Sequence, residues 1–437
     1  MGTTCILNAR VLDPATGRDE RGGILFETRA PRGPDDLGGA ILDVGPHVKA
    51  PADTTVIDAD GRALMPGLVD LRVVTGEPGA EHKETFKSAG RAAAAGGVTT
   101  MVVMPNTKPV IDDASLVDFV LRRATARGHV RILPAAALTK GLEGRAMSEI
   151  GLIAEAGAVL FSNGDTPVTD SRVLRRALAY ASTFDALVAH RPEDPHLAAG
   201  GVMHEGEFAG RLGLPGIPAI AESIMVERDL ALAEVTGGRL LLDLLSTARS
   251  LEPLARAKAK GVRAHASVSI HHLTLNELEI GDYRTFAKLS PPLRSEDDRR
   301  ALVDAVAGGL IDVIVSGHDP RPAEDKRLPF DEAAFGAAAL ETLLPAALSL
   351  HHNGEVDLIA LLAALTVRPA DLIGLPQGRL APGAPADLIL VDLHAPFRCD
   401  VAELLSKSRN SPFDGRLFQG RVTQTFVGGE TVFARHA

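Results

Sequence analysis

The chain of 437 residues has no tryptophan, only two tyrosines and only two cysteines. Cys5 and Cys399 cannot make a disulfide framework or a cysteine-rich zinc site. No apolar run approaches the ~18 residues of a spanning helix. The opening string Met1-Gly2-Thr3-Thr4-Cys5-Ile6-Leu7-Asn8 shows no basic segment followed by an apolar stretch, so no signal peptide is visible. Positive charge is also in deficit. Lysine and arginine number 46 against 56 acidic residues, a formal net charge of -10 that argues against a nucleic-acid binder. The expectation is a cytoplasmic protein without membrane or nucleic-acid contact. What is present is ordinary globular material, 45% hydrophobic and 23% charged, enough for a large core. The length suits one large barrel with a satellite domain.

The two ends read as β structure. Thr4–Asn8, Ile24–Glu27 and Ala40–Val44 are short apolar runs separated by Asp13-Pro14-Ala15-Thr16-Gly17 and by a Pro- and Gly-rich stretch, Arg29–Gly39. Near the C-terminus, Pro382-Gly383-Ala384-Pro385-Ala386-Asp387 feeds the strand-like Leu388–Asp392, and Gly428-Gly429 separates two more runs. Between the ends, strand-like and helix-like segments alternate. Val98–Met104 follows the Ala-rich Lys83–Ala95, and Val130–Leu133 follows Leu116–Arg127. The alternation continues to Asp312–Ser316 and, with Gly67–Val73, gives about eight strands. That predicts an α/β protein, a (β/α)8 TIM barrel at residues 65–375. Residues 1–64 and 376–437 are expected to join as one composite β-sandwich domain.

Several strings occur in order over nearly the whole chain. Among them are Met65-Pro66-Gly67-Leu68-Val69-Asp70, Glu77-Pro78-Gly79, Met104-Pro105-Asn106-Thr107-Lys108-Pro109 and Leu138-Thr139-Lys140-Gly141-Leu142-Glu143-Gly144. Arg211-Leu212-Gly213-Leu214-Pro215-Gly216 and Pro291-Pro292-Leu293-Arg294 follow. Together they resemble dihydroorotases of the long bacterial type, in the amidohydrolase superfamily. The resemblance implies a metal-dependent-hydrolase barrel and zinc enzymes that interconvert N-carbamoyl-L-aspartate and dihydroorotate. Such chemistry needs a metal-bound hydroxide, a polarised amide carbonyl and a carboxylate that shuttles the proton.

The same resemblance locates departures. The family's Asp-x-His-x-His is here Asp70-Leu71-Arg72-Val73-Val74, with Arg72 and Val74 at the histidine positions. Arginine cannot lose its proton to bind zinc, and valine has no donor. The carboxylate-binding arginine before Glu-Pro-Gly is missing from Thr75-Gly76-Glu77. The bridging acid's string is Ser162-Asn163-Gly164-Asp165, with Asn163 at the acid's place. His190 is kept. Leu241 and Leu244 replace the histidines of the next string, and the catalytic aspartate's string is Ser316-Gly317-His318-Asp319-Pro320-Arg321, with Gly317 at the acid position. Ser290 stands before Pro291 where the family has asparagine.

These departures imply no catalytic group, no metal and no cofactor. The expectation is a non-catalytic dihydroorotase-like subunit of pyrimidine biosynthesis. The resemblance implies aspartate transcarbamoylase as its partner and a homo- or hetero-oligomer. One alternative is an active dihydroorotase or another cyclic-amide hydrolase with an unusual site. A metal-independent amidohydrolase would use His190, Asp165, His318 or Asp319, and zinc is expected only for an active dihydroorotase. Another is a sensor whose Arg72, Asn106 and Arg321 hold an anionic pyrimidine precursor. Arg72 is expected to pair with Asp70, Glu77 or Asp165, since an unpaired buried charge is costly. Strand alternation aims Asp243 away from the mouth and toward a core cation. His271 and His272 read as packing residues. Val74, Leu241 and Leu244 are expected to fill the former metal cavity. Arg122, Arg123 and Arg127, like Arg256, Lys258 and Lys260, read as solvated helix faces.

Overall fold

Val98-Thr99-Thr100-Met101-Val102-Val103 is buried at all its positions. That is the signature of a parallel strand covered on both faces. In the computed structural model, which describes residues 2–435, it is the second of eight parallel strands. Met1, His436 and Ala437, at the outer limits of the two expected sheet segments, lie outside the described residues. The strands follow chain order around the barrel, from Leu68–Val73 to Val313–Val315. The ring nearly closes where Val73 bridges His318 and the Val74 N–H donates to the His318 carbonyl at 2.8 Å. Val69, Leu71, Val102, Leu187, Leu241 and Val313 share the apolar cluster inside the ring, with Leu244 in the same cluster and Val74 packed against it.

Helices cover the outside, and their ends follow from local chemistry. Thr85 and Ser88 form a reciprocal capping box for Phe86–Ala95. Asp170 caps Ser171–Ser182 by accepting the N–H groups of Arg172 and Val173. Helix Ile220–Thr236 ends on Gly237, which adopts the left-handed conformation that a side chain disfavours. At the entry to the first barrel strand, a Cβ on Gly67 would lie 2.1 Å from the Thr99 side chain. Glycine there lets the first two strands approach.

The chain ends build one eight-stranded sheet. Ala63–Pro66 pairs antiparallel with the start of Leu388–Arg398, bringing Leu388 opposite Pro66 and Val391 opposite Ala63. The sheet is tied to the barrel by Arg131, which gives two hydrogen bonds to Asp387 at 2.7 and 3.0 Å. A segment between the sheet strands, 399–416, also reaches the barrel rim. There the Asn410 side chain accepts the Arg321 N–H and donates to the Gly336 carbonyl, each at 2.8 Å.

Candidate functional site

In a parallel barrel the loops after the strands converge at one end, where catalytic groups collect. The first strand and four such loops bring charge together here. Arg72 lies on the first strand, Asp165 follows Leu160–Ser162, Arg191 follows Leu187–His190, Asp243 follows Arg239–Leu242, and Asp319 follows Val313–Val315. Arg72, Asp165, Leu244, His271, Gly317 and Asp319 line a small cavity of about 20 Å³.

The Arg72 guanidinium is clamped on two sides. One nitrogen lies 2.7 Å from Asp165 and another 2.9 Å from Asp243. Burial works against its charge, but Asp243, Asp165 and Asp319 outweigh that and hold its pKa above the usual value. Asp165 also accepts from Arg191 at 3.1 Å, and Arg191 reaches Glu193 and the Ser290 hydroxyl. Burial opposes ionisation of Asp165, yet Arg72, Arg191 and Arg321 hold it below the ordinary carboxylate range. Of the expected partners of Arg72, Asp165 is the one its side chain reaches. Asp70 accepts only the Arg72 backbone N–H at 3.2 Å, and Glu77 pairs instead with Arg123.

The expected direction of Asp243 is corrected. It points into this network by continuing the alternation of Leu241, which faces the inner apolar cluster, and Leu242, which faces the outer one. Leu244, at φ +60°, is the residue that breaks the alternation and also reaches the inner cluster. Ser267 donates to its other oxygen at 3.0 Å.

Asp319 behaves differently from Asp165. Arg321 holds Oδ2 at 2.5 Å, while the buried Oδ1 has no partner. Burial raises its pKa, countered by Arg321 and reinforced by Asp165. Arg321 further donates to the Phe335 carbonyl at 2.6 Å, so it holds the rim loop as well as Asp319. Asn106 donates weakly to Asp165 at 3.4 Å, and its buried Oδ1 is unpartnered.

The histidines divide. His190 Nε2 accepts the Val168 N–H at 2.8 Å, and its Nδ1 donates to Asp229 at 2.6 Å. His318 turns out of the mouth. Its Nδ1 accepts the Ala339 N–H at 3.0 Å, and its Nε2 lies 3.7 Å from Glu84. His318 and Asp319 therefore do not form an acid–base pair. His272 is held by Ser269 and by the carbonyls of Pro291 and Pro292. His271 stacks on Phe413 with its buried Nε2 unpartnered, and burial pushes its pKa down to about 3. It is a neutral imidazole at neutral pH.

This donor set does not fit the zinc that the family resemblance implies. Val74, Leu244 and Gly317 offer no side-chain donor, and both His190 nitrogens are engaged. The Asn163 oxygen is taken by the Thr139 N–H and hydroxyl at 3.0 and 3.1 Å. Among the described residues, no group of three or more His, Cys, Asp or Glu side chains is placed to hold a metal.

Two residues of this region escaped the sequence reading. Arg191 directly follows His190, and its proximity to Glu193 was a readable charge pattern. Asp229 sits among Met225, Val226, Leu230 and Ala233, an acid on the buried side of its helix. A lone acid on an apolar face signals a buried polar partner. The basic clusters are mostly surface ion pairs: Arg256 meets Glu227 and Glu252, Lys258 meets Asp312, Lys260 meets Glu234 and Arg122 meets Asp118.

Comparison with known proteins decides the family. Residues 61–250 match the family model described as dihydro-orotase-like, and residues 196–432 match the amidohydrolase family. The chain belongs to the dihydroorotase-like amidohydrolases. It is 43% identical to a dihydroorotase of Anaeromyxobacter dehalogenans (strain 2CP-1 / ATCC BAA-258) over 98% of this chain and 97% of that one. It is 41% identical to a dihydroorotase of Anaplasma phagocytophilum (strain HZ) over 99% of this chain and 95% of that one. The L-hydantoinase (dihydropyrimidinase) of Arthrobacter aurescens has the same fold, with a TM-score of 0.87 and 24% identity, covering 99% of this chain and 96% of that one.

These relatives overturn the expectation of a non-catalytic subunit. Full-length likeness to proteins named as dihydroorotases supports a hydrolase of the dihydroorotase type. The physical reason lies in the mouth. Lost histidines remove one set of donors, but the loop ends still gather ionisable groups, including a carboxyl with a free oxygen. Among the described residues no helix is long and apolar enough to cross a membrane.

Proposed function

We propose that the chain is an enzyme interconverting dihydroorotate and N-carbamoyl-L-aspartate at the barrel mouth. The observation that carries this reading is the 43% identity, over nearly both full chains, to a protein named dihydroorotase. The mouth supplies matching chemistry. The substrate is a cyclic amide bearing a carboxylate, and Arg72, Arg191, Arg321 and Asn106 offer donors for carboxylate and carbonyl oxygens. Asp319 offers the proton-transfer group. Its free Oδ1 takes a proton from water as the water oxygen bonds to the ring carbonyl carbon. The carbonyl electron pair moves onto oxygen, facing a guanidinium. As the ring C–N bond breaks, Asp319 returns the proton to the departing nitrogen, leaving the ureido acid. The raised pKa of Asp319 suits both halves of that exchange.

The test is dihydroorotate hydrolysis by the purified full-length chain, with and without added zinc. Turnover is expected, falling by about 10²–10⁴-fold in Asp319→Asn. Absence of turnover in both conditions, or binding of dihydroorotate without conversion, would overturn the proposal.

A further inference from the structure

We infer that Arg72 is a tethered cation: its guanidinium neutralises Asp165 and Asp243 from within, so the mouth takes up no zinc. The geometry is that of a cation held between two carboxylates, at 2.7 Å on one side and 2.9 Å on the other. The Asp243 side of the clamp is dry, with the Arg72 and Asp243 side chains only 5% and 4% exposed, while Asp165 closes the other side at 38% exposed. A divalent ion brought to this point would have to displace a buried guanidinium from a charge-assisted hydrogen bond to Asp165 and an ion pair with Asp243. Glu193 is paired with Arg191, and Asp319 has one oxygen held by Arg321, leaving a single free oxygen that is no site for a divalent ion by itself. The one kept family histidine has no free nitrogen.

The inference makes a positive demand on the variant. Removing the guanidinium leaves Asp165 and Asp243 facing a vacated space, and that space should accept a cation from solution. It shares with the proposed function only the premise that this mouth is the functional site, and its readouts are independent of turnover. A chain without turnover refutes the enzyme while leaving the tethered cation standing, and zinc uptake does the reverse.

The experiment uses the full-length chain, with zinc chloride and methylguanidinium chloride as probes. Zinc content after equilibration and dialysis is measured by mass spectrometry, and Tm is followed with each probe. The wild-type chain is expected to retain substoichiometric zinc and show the same Tm with zinc or chelator. Arg72→Ala is expected to melt lower and to recover Tm with methylguanidinium or zinc, which leave the wild type unmoved. Arg72→Lys keeps a charge but cannot bridge both carboxylates, and it is expected to fold and still exclude zinc. One dialysis-resistant zinc per wild-type chain would overturn the inference. So would a folded Arg72→Ala whose Tm responds to neither probe, and so would an Arg72→Lys chain that loads zinc. If Arg72→Ala does not fold, the wild-type and Arg72→Lys zinc contents still decide.

Discussion

The His190 imidazole gives its Nδ1 proton to Asp229 at 2.6 Å while its Nε2 receives the Val168 N–H at 2.8 Å. The side chain is therefore a neutral bridge between a helix and the loop before another. Arg228 completes the arrangement by holding the other Asp229 oxygen at 2.7 Å.

His190→Ala should cost about 3 kcal/mol, because it leaves one oxygen of the buried Asp229, still paired with Arg228 through the other, and the buried Val168 N–H without partners. Denaturant unfolding of the variant against the wild type reads this directly. A loss below about 1 kcal/mol would show that the bridge is structurally idle.

One of the links between sheet and barrel is a buried ion pair. Arg131 and Asp387 are 9% and 1% exposed, and Asp387 also accepts the Gly428 N–H at 2.8 Å. Asp387→Ala leaves a buried guanidinium without its anion and should destabilise by about 3–5 kcal/mol. Asp387→Asn keeps the accepting oxygen and should lose less. Equal losses in the two variants would argue against the charge pairing.

Asp70 makes stability depend on pH. Burial pushes its carboxyl up to about 6, only partly offset by hydrogen bonds from Ser316 and Arg72. An unfolded aspartate titrates near ~3.9, so the folded chain holds this proton more tightly. The resulting stabilisation is complete below that unfolded value and is lost as pH rises through about 6. Asp70→Asn retains an acceptor and removes the ionisation. Relative to wild type it should gain roughly 2 kcal/mol between about pH 4 and pH 8, measured by unfolding across that range. A difference independent of pH would refute this.

Restoring the family's acid at residue 317 should be costly. Gly317 has φ +64°, and a Cβ there would lie 3.0 Å from the Ser269 Cβ. Gly317→Asp is expected to lose about 1–2 kcal/mol, with Gly317→Ala losing a similar amount because the strain is in the backbone. A neutral Gly317→Ala in thermal melts would place the cost in the new charge instead.

The alternation of apolar strands with capped helices was enough to give the barrel. Val98–Val103 and Phe86–Ala95 carry their structure in local pattern, through burial at all positions and a capping box. The β character of both ends was legible in the same way, from turn residues between short apolar runs. The family was legible because its turn strings stand in order along the chain. What no local pattern carried was the direction of side chains past the strand ends. Asp243 enters the mouth on the side of Leu241 while Leu244, at a positive φ, breaks the alternation after it, and His318 leaves the mouth where the Ala339 N–H captures its Nδ1. The sequence alone determined which groups are present: two histidine positions became Arg72 and Val74, and an acid became Gly317. Only the tertiary structure decided that Arg72 meets Asp165 and Asp243, residues 93 and more positions away. Charge pairing of that kind depends on loops converging from separate strands, and such distances are set by the closed ring.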